Sequence, residues 1–231
     1  MVEVHFLSVL KSLRKVVFPV LGDCILASKY ISIDLSETNE KLNKVDIASS
    51  IKLGHFINEY LETNKALVAY GGYLEHRNIY KRSKYFNKQV QEERNIHIGM
   101  DLWCNSGTKV YAPINAKVHS FKNNTNFGDY GPTIILEHQI DGLIFYTLYG
   151  HLSLDSIQGL KLGQLFNKGD VIATLGDETV NGDYPPHLHF QIIKDIQDYK
   201  GDYPGVCNKK DLEFYKTNCP DPDILLYLNK F

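Results

Sequence analysis

Three observations predict a mainly β fold, α+β overall. From Asn95 to Ile193, short runs such as VYAPI, KVHSF, TIILEH and FYTLYGHL recur about every ten residues between Gly, Asn and Asp turns. Before Asn95, apolar residues follow helical spacing in two places instead of alternating. The 231 residues, 43% hydrophobic and 23% charged, suffice for a buried core and exclude a disordered tail.

Taken in order, Phe6, Val9, Leu10, Leu13, Val16 and Val17 predict a helix over residues 6–18, stopped by Pro19. Residues 29–35 (KYISIDL) alternate like a strand. Ile47, Ile51, Phe56, Tyr60 and Leu61 predict a second helix, opening near Asp46 and fading by Asn64. A strand through Ala66 to Tyr70 then meets Gly71-Gly72, a turn or bulge signal. Residues 78–95 are polar and read as a surface loop and a boundary. The chain divides accordingly into an N-terminal α/β extension (1–92), a β domain (93–195) and a C-terminal tail (196–231) whose apolar ILLYL folds back on the core.

Lys+Arg of 25 against Asp+Glu of 27 gives a net charge of -2, which provides no basic excess for nucleic acid. No run approaches the roughly 18 apolar residues of a membrane span. The N-terminus lacks the three-part pattern of a secretory leader, since Lys11, Arg14 and Lys15 interrupt its apolar stretch. A cytoplasmic location is expected, with periplasmic or secreted as the alternative. Cys24, Cys104, Cys207 and Cys219 show no metal spacing and read as free thiols, a Cys207–Cys219 bridge staying open for an exported chain.

Three clusters carry chemistry: His97 to Asp101, Gly150-His151-Leu152, and His187-Leu188-His189. In a strand, residues i and i+2 share a face about 6.8 Å apart, so His187 and His189 present two imidazoles to one space. A straight strand would hold His97 and Asp101 too far apart for one ion, and Gly99 between them offers a bend. Two imidazoles and a carboxylate form a catalytic zinc set with a position left for water. His151 and the remaining histidine of the pair titrate near neutrality and suit proton transfer.

The stretch from His97 to Gln191 resembles the lysostaphin-type, LytM-like zinc peptidases of family M23, whose pattern is HxxxD, a histidine in a GHL-like segment, then HxH. GTKVYAP, YGPTIILEH and LGQLFNKGDVIATLG are similar to that family's texture as well. The resemblance implies His97, Asp101 and His189 as zinc ligands, and His151 and His187 as the catalytic pair, either of them the base. It implies a LytM-like antiparallel β groove (a duplicated hybrid motif) and a zinc metalloendopeptidase acting on a peptide, peptidoglycan or a glycine-rich peptide. AYGGYLEHRNIY, PPHLHFQII, GDYPGV and CPDPD further resemble the peptidase-like segment of intracellular proteins fused to a phosphotransferase and an aminotransferase. Two features depart from secreted cell-wall hydrolases: the absence of a leader pattern, and GDETVNGDYPP before HLH in place of a short Gly/Ser/Thr run.

Plainer readings apply elsewhere. His5, His55, His76, His119 and His138 read as structural, Trp103 as core, and Cys104 as a buried free thiol in preference to a neighbour of the metal. Asp177, Glu178 and Asp183 read as a solvated turn, and the 15 tyrosines as β-formers. The rival functions are a non-catalytic LytM-like zinc-binding or regulatory module, which would lose ligands, and a carrier domain suggested by NKGDVIATLG, for which no presented lysine is evident.

Overall fold

Twelve strands and four α-helices are built around one eight-stranded sheet in the computed structural model, which describes residues 2–83 and 93–228. Strands β1 (Tyr30–Ser32), β2 (Val68–Gly71), β4 (Met100–Trp103), β6 (Ala116–Asn124), β7 (Gly131–Ile140), β8 (Leu143–Gly150), β9 (Leu165–Phe166) and β11 (His187–Ile193) run in the order β1-β2-β4-β11-β8-β7-β6-β9. Two small sheets complete the set, β5 (Lys109–Tyr111) with β10 (Val171–Thr174), and β3 (Ile96–His97) with β12 (Val206–Cys207). The mainly β expectation holds, and pairing is antiparallel except for β1 with β2.

That parallel pair needs a crossover, supplied by helix α2 (Ser50–Thr63). The Ser49 side chain accepts the Lys52 amide at 3.3 Å and starts the helix four residues after Asp46, because the cap satisfies an otherwise orphaned amide. Helix α1 (Val2–Leu13) stops before Val16 and Val17; the backbone turns there so that the Phe18 amide reaches the Pro113 carbonyl at 2.8 Å. The N-terminal strands do not form a separate sheet: β2 pairs with β4, placing Gly71 opposite Asp101 and Ala69 opposite Trp103.

Strand β11 is buried on both faces because its alternation feeds two cores. Leu188, Phe190 and Ile192 enter the larger one, with Tyr70, Met100, Leu136 and Phe145, under α1 and the short helix α4 (Asp223–Leu226). The odd-numbered residues face the other way. There Ile33, Leu35, Leu42, Leu53, Ile79, Tyr80, Trp103, Tyr184 and Val206 form a second cluster that covers the sheet. Helix α3 (Leu212–Asn218) closes a third with Ile98, Tyr130, Tyr203, Cys207 and Cys219.

The expected surface loop over residues 78–95 differs in its described part. Ile79–Arg82 forms a 3-10 turn that buries Ile79 and Tyr80, and residues 84–92 lie outside the described residues. Cys207 and Cys219 are buried free thiols. Among the described residues no helix is long and apolar enough to cross a membrane.

His138 sits in the core, with Nδ1 3.0 Å from the Asn115 carbonyl and Nε2 2.7 Å from the Thr147 hydroxyl. Burial pushes its pKa down from 6.5 to about 4. Between those values the unfolded chain holds more protons than the folded one, so the contribution is complete above pH 6.5 and is lost as pH falls toward 4. For one ring this amounts to at most about 3 kcal/mol. Urea unfolding of the metal-free chain should therefore show a midpoint that drops from pH 7 to pH 4.5, and drops less in His138→Asn. Equal pH sensitivity of the two proteins would contradict this assignment.

Candidate functional site

The register of β11 assembles the site. His187 lies opposite Trp103, and His189 lies opposite Asp101 on one side and Gly150 on the other. Cross-strand partners share a face, so Asp101, Trp103, His187 and His189 project together. His97 joins them because the chain breaks between β3 and β4 at Ile98-Gly99. Glycine is required at 99 for space: a Cβ there would overlap the His189 imidazole. His151 follows the end of β8 with a φ of +62°, a left-handed conformation that is strained for this residue and turns its ring inward.

All five residues expected from the sequence thus meet. Donor atoms of His97, Asp101 and His189 lie within 4.8 Å of one another, a group that could hold a metal ion. His97 Nε2 stands 2.9 Å from His189 Nδ1 and 3.3 Å from Asp101 Oδ1, and His189 Nδ1 is 3.2 Å from the same oxygen. His187 Nε2 is 3.8 Å from Asp101 Oδ1, and its ring centroid is 4.1 Å from that of His151. The other histidines stay away from the site, with His5, His55 and His76 exposed.

The outer contacts of each ring determine where its proton sits. His97 Nδ1 donates to the Gly72 carbonyl at 2.9 Å, leaving Nε2 bare. Gln191 donates its Nε2 to the Pro204 carbonyl and the Cys219 sulfur, so its Oε1 accepts from His189 Nε2 at 3.0 Å and His189 Nδ1 is bare. Two imidazole lone pairs and a carboxylate oxygen therefore converge in a buried space. Such a set is repulsive alone and is satisfied by a cation, so the residues fit a metal with mixed nitrogen and oxygen preference. His151 Nδ1 donates to the Asn181 carbonyl and His187 Nδ1 to the Pro185 carbonyl, both at 2.8 Å, so each presents a bare Nε2.

Burial dominates the electrostatics. It lowers His97 and His187 to about 4, each opposed by Asp101, and lowers His151 well below its ordinary value, reinforced by His187 and His189. Burial works against charge on Asp101, but His97 and Arg77 prevail and hold it well below the usual carboxylate range. His151 and His187 therefore do not titrate near neutrality as expected from the sequence: burial disfavours the imidazolium, so the rings are neutral at pH 7, with lone pairs free for a cation or a transferred proton.

Several partners escaped the sequence reading. Arg77 is buried and donates to Asp101 Oδ2 at 2.5 Å and to Glu75 Oε2 at 2.5 Å, leaving only Oδ1 of Asp101 to face the histidines. Glu75 and Arg77 lie between the Gly71-Gly72 turn signal and the loop over residues 78–95, in a stretch for which the sequence predicted no element. Trp103 is core as expected and also stacks on His187 at 3.9 Å between ring centres. Gln191 continues the parity of His187 and His189, while the Tyr130 hydroxyl, 3.4 Å from His189 Nε2, comes from a loop without a pattern. Cys104 has the opposite parity to Asp101 and Trp103 and packs against the larger core, where burial pushes its thiol up to about 11. Asp183 is more than a solvated turn residue, for it accepts from Ser50 at 2.7 Å and from Arg82 at 3.2 Å.

Comparison with known proteins bears on the central part of the chain. Among solved structures, a Pseudomonas aeruginosa protein described as a peptidase M23 aligns at 22% identity over 56% of this chain and 43% of its own, with a TM-score of 0.37. The catalytic domain of the antimicrobial peptidase lysostaphin from Staphylococcus simulans aligns at 26% identity over 53% of this chain and 80% of its own, with a TM-score of 0.37. A zinc-containing peptidase from Vibrio cholerae shows 31% identity over 43% of this chain and 28% of its own, with a TM-score of 0.35. The chain thus spans less than half the length of the first and third. No curated protein matches the sequence. Residues 95–201, which contain His97, Asp101, His151, His187 and His189, match the model of Peptidase family M23.

Proposed function

We propose that this chain is a zinc-dependent hydrolase of peptide bonds, with His97 Nε2, Asp101 Oδ1 and His189 Nδ1 as the metal donors and His151 and His187 as the proton-transfer pair. The observation that carries the reading is the convergence of two bare imidazole nitrogens and one carboxylate oxygen in a buried space. The match of residues 95–201 to the model of Peptidase family M23 supports a metallopeptidase-type activity. The substrate class to test is a peptide amide, free or within peptidoglycan.

Zinc bound at this set would polarise the scissile carbonyl and bring the pKa of water toward neutrality. The protein supplies the rest. Asn181 and Pro185 carbonyls hold the protons of His151 and His187 on Nδ1, so each Nε2 can take a proton at neutral pH and return it to the leaving amine. Trp103 stacked on His187 fixes that ring's plane. Arg77 holds Asp101 through Oδ2 and keeps its charge aimed through Oδ1. Burial excludes bulk water, so whichever imidazole has taken a proton on Nε2 can donate it, in a low dielectric, to the charge developing on the carbonyl oxygen.

The protein purified without chelator should contain about one zinc per chain, lost in His189→Ala. Gly99→Ala should lose it as well, because the added methyl displaces the His189 ring while the strand stays intact. His151→Ala should retain zinc while peptide hydrolysis falls by about two to four orders of magnitude. Zinc in His189→Ala would refute the donor set, and zinc without hydrolysis by the wild type would favour a non-catalytic zinc-binding or regulatory module.

Arg77→Met should leave Asp101 buried without its cation and cost about 3–5 kcal/mol in the metal-free chain, with a smaller loss once zinc is added. Urea midpoints with and without zinc measure both. A loss unaffected by zinc would mean that Arg77 matters to packing rather than to the charge on Asp101.

A further inference from the structure

The face that carries the histidines is roofed, and one end of it is walled off. His97, Asp101, His151, His187 and His189 are each no more than 5% exposed. Leu35, Leu42 and Leu53 of the N-terminal segment, with Ile79 and Tyr80, line the cavity above them, whose volume is about 190 Å³. That lies below the roughly 300–1,000 Å³ of pockets that take drug-sized ligands.

The wall is built by direct backbone contact. The β6–β7 turn and the loop preceding β11 are joined by the Gly128 amide on the Gly182 carbonyl at 3.0 Å and by the Tyr184 hydroxyl on the Gly128 carbonyl at 2.9 Å. Gly182, at a φ of +85°, allows the approach, since any Cβ would overlap the Asp129 carbonyl. Arg82 locks this closure. Its guanidinium donates to the Asp183 carbonyl at 2.6 Å and lies 4.3 Å over the Tyr184 ring and 5.0 Å over the Phe127 ring. Ser83 donates to the Phe127 carbonyl at 2.6 Å, and Ser50 at the start of α2 donates to Asp183. The roof is tied to the floor as well, through the Leu35 amide on Glu75 Oε1 at 2.9 Å and onward through Arg77 to Asp101. Beyond these residues the cavity is lined by Arg94, Tyr199 and Asp202, and Tyr199 is 40% exposed.

A bond inside a long chain needs a channel that continues past the reacting centre in both directions. We infer that this site instead takes single-ended substrates, meaning a dipeptide or the terminal residue of a short peptide, with the small part held under Leu35, Leu53 and Tyr80 and the remainder leaving past Tyr199 and Asp202. This rests on the hydrolase reading and narrows the endopeptidase expectation to the end of a peptide.

Trp103 is the only tryptophan of the chain and stacks on His187 inside the cavity, so its fluorescence reports occupancy independently of turnover. The zinc-loaded His151→Ala protein would be titrated with dialanine, diglycine and a doubly capped Gly-Ala decapeptide. Dipeptides should change the emission saturably and the decapeptide should not. In the same background Arg82→Ala, and the milder Asp183→Asn, should admit the decapeptide by loosening the wall. Binding of the decapeptide to the parent as tight as that of a dipeptide would overturn the inference. So would binding of neither peptide unless the wall is loosened, which would make the roof an autoinhibitory cover. Absence of bound zinc with the same dipeptide preference would instead refute the hydrolase reading and leave the size limit standing.

Discussion

Everything at the candidate site depends on the register of β11 between β4 and β8. A shift of one residue would turn Leu188 and Phe190 toward the histidine face and bury His187 and His189 in the apolar core. The register is enforced by burial of both faces, because one parity supplies the large core and the other supplies the chemistry. Packing thereby specifies the alignment that sets His189 opposite Asp101. The site inherits its precision from the apolar side of the same strand.

The second constraint is electrostatic. The outer nitrogen of each imidazole meets a carbonyl-type oxygen, from Gly72, Gln191, Asn181 or Pro185, so every inner nitrogen is bare. Burial keeps His97, His151 and His187 uncharged, and Arg77 offsets part of the carboxylate charge without entering the histidine group. The result is a preorganised negative potential on one small volume, stabilised by surroundings that would be costly to disrupt. Extension of the sheet by β1 and β2 then places the N-terminal segment over that volume, and Glu75 connects the cover to the floor.

The legible part of the fold was the part governed by short-range pattern. The β runs after Asn95, the existence of α2 though not its Ser49 cap, and the shared parity of His187 and His189 follow from alternation and helical period. The bend at Gly99 was also legible, although its cause is the space needed by His189 rather than an unusual φ. Features set by long-range contact were not. The buried Arg77 looked like one more polar residue, because only one of its two carboxylate partners, Glu75, is near in sequence and the other, Asp101, is 24 residues away. Likewise Arg82 belonged to a polar stretch, and what covers its guanidinium is the distant pair Tyr184 and Phe127.

The central claim is that two imidazole nitrogens and one carboxylate oxygen hold the metal. X-ray absorption at the zinc edge of the loaded protein tests it most directly. The account predicts a shell of nitrogen and oxygen at about 2.0–2.2 Å with the outer-ring scattering of two imidazoles. A sulfur shell at about 2.3 Å, or a shell without imidazole scattering, would contradict it.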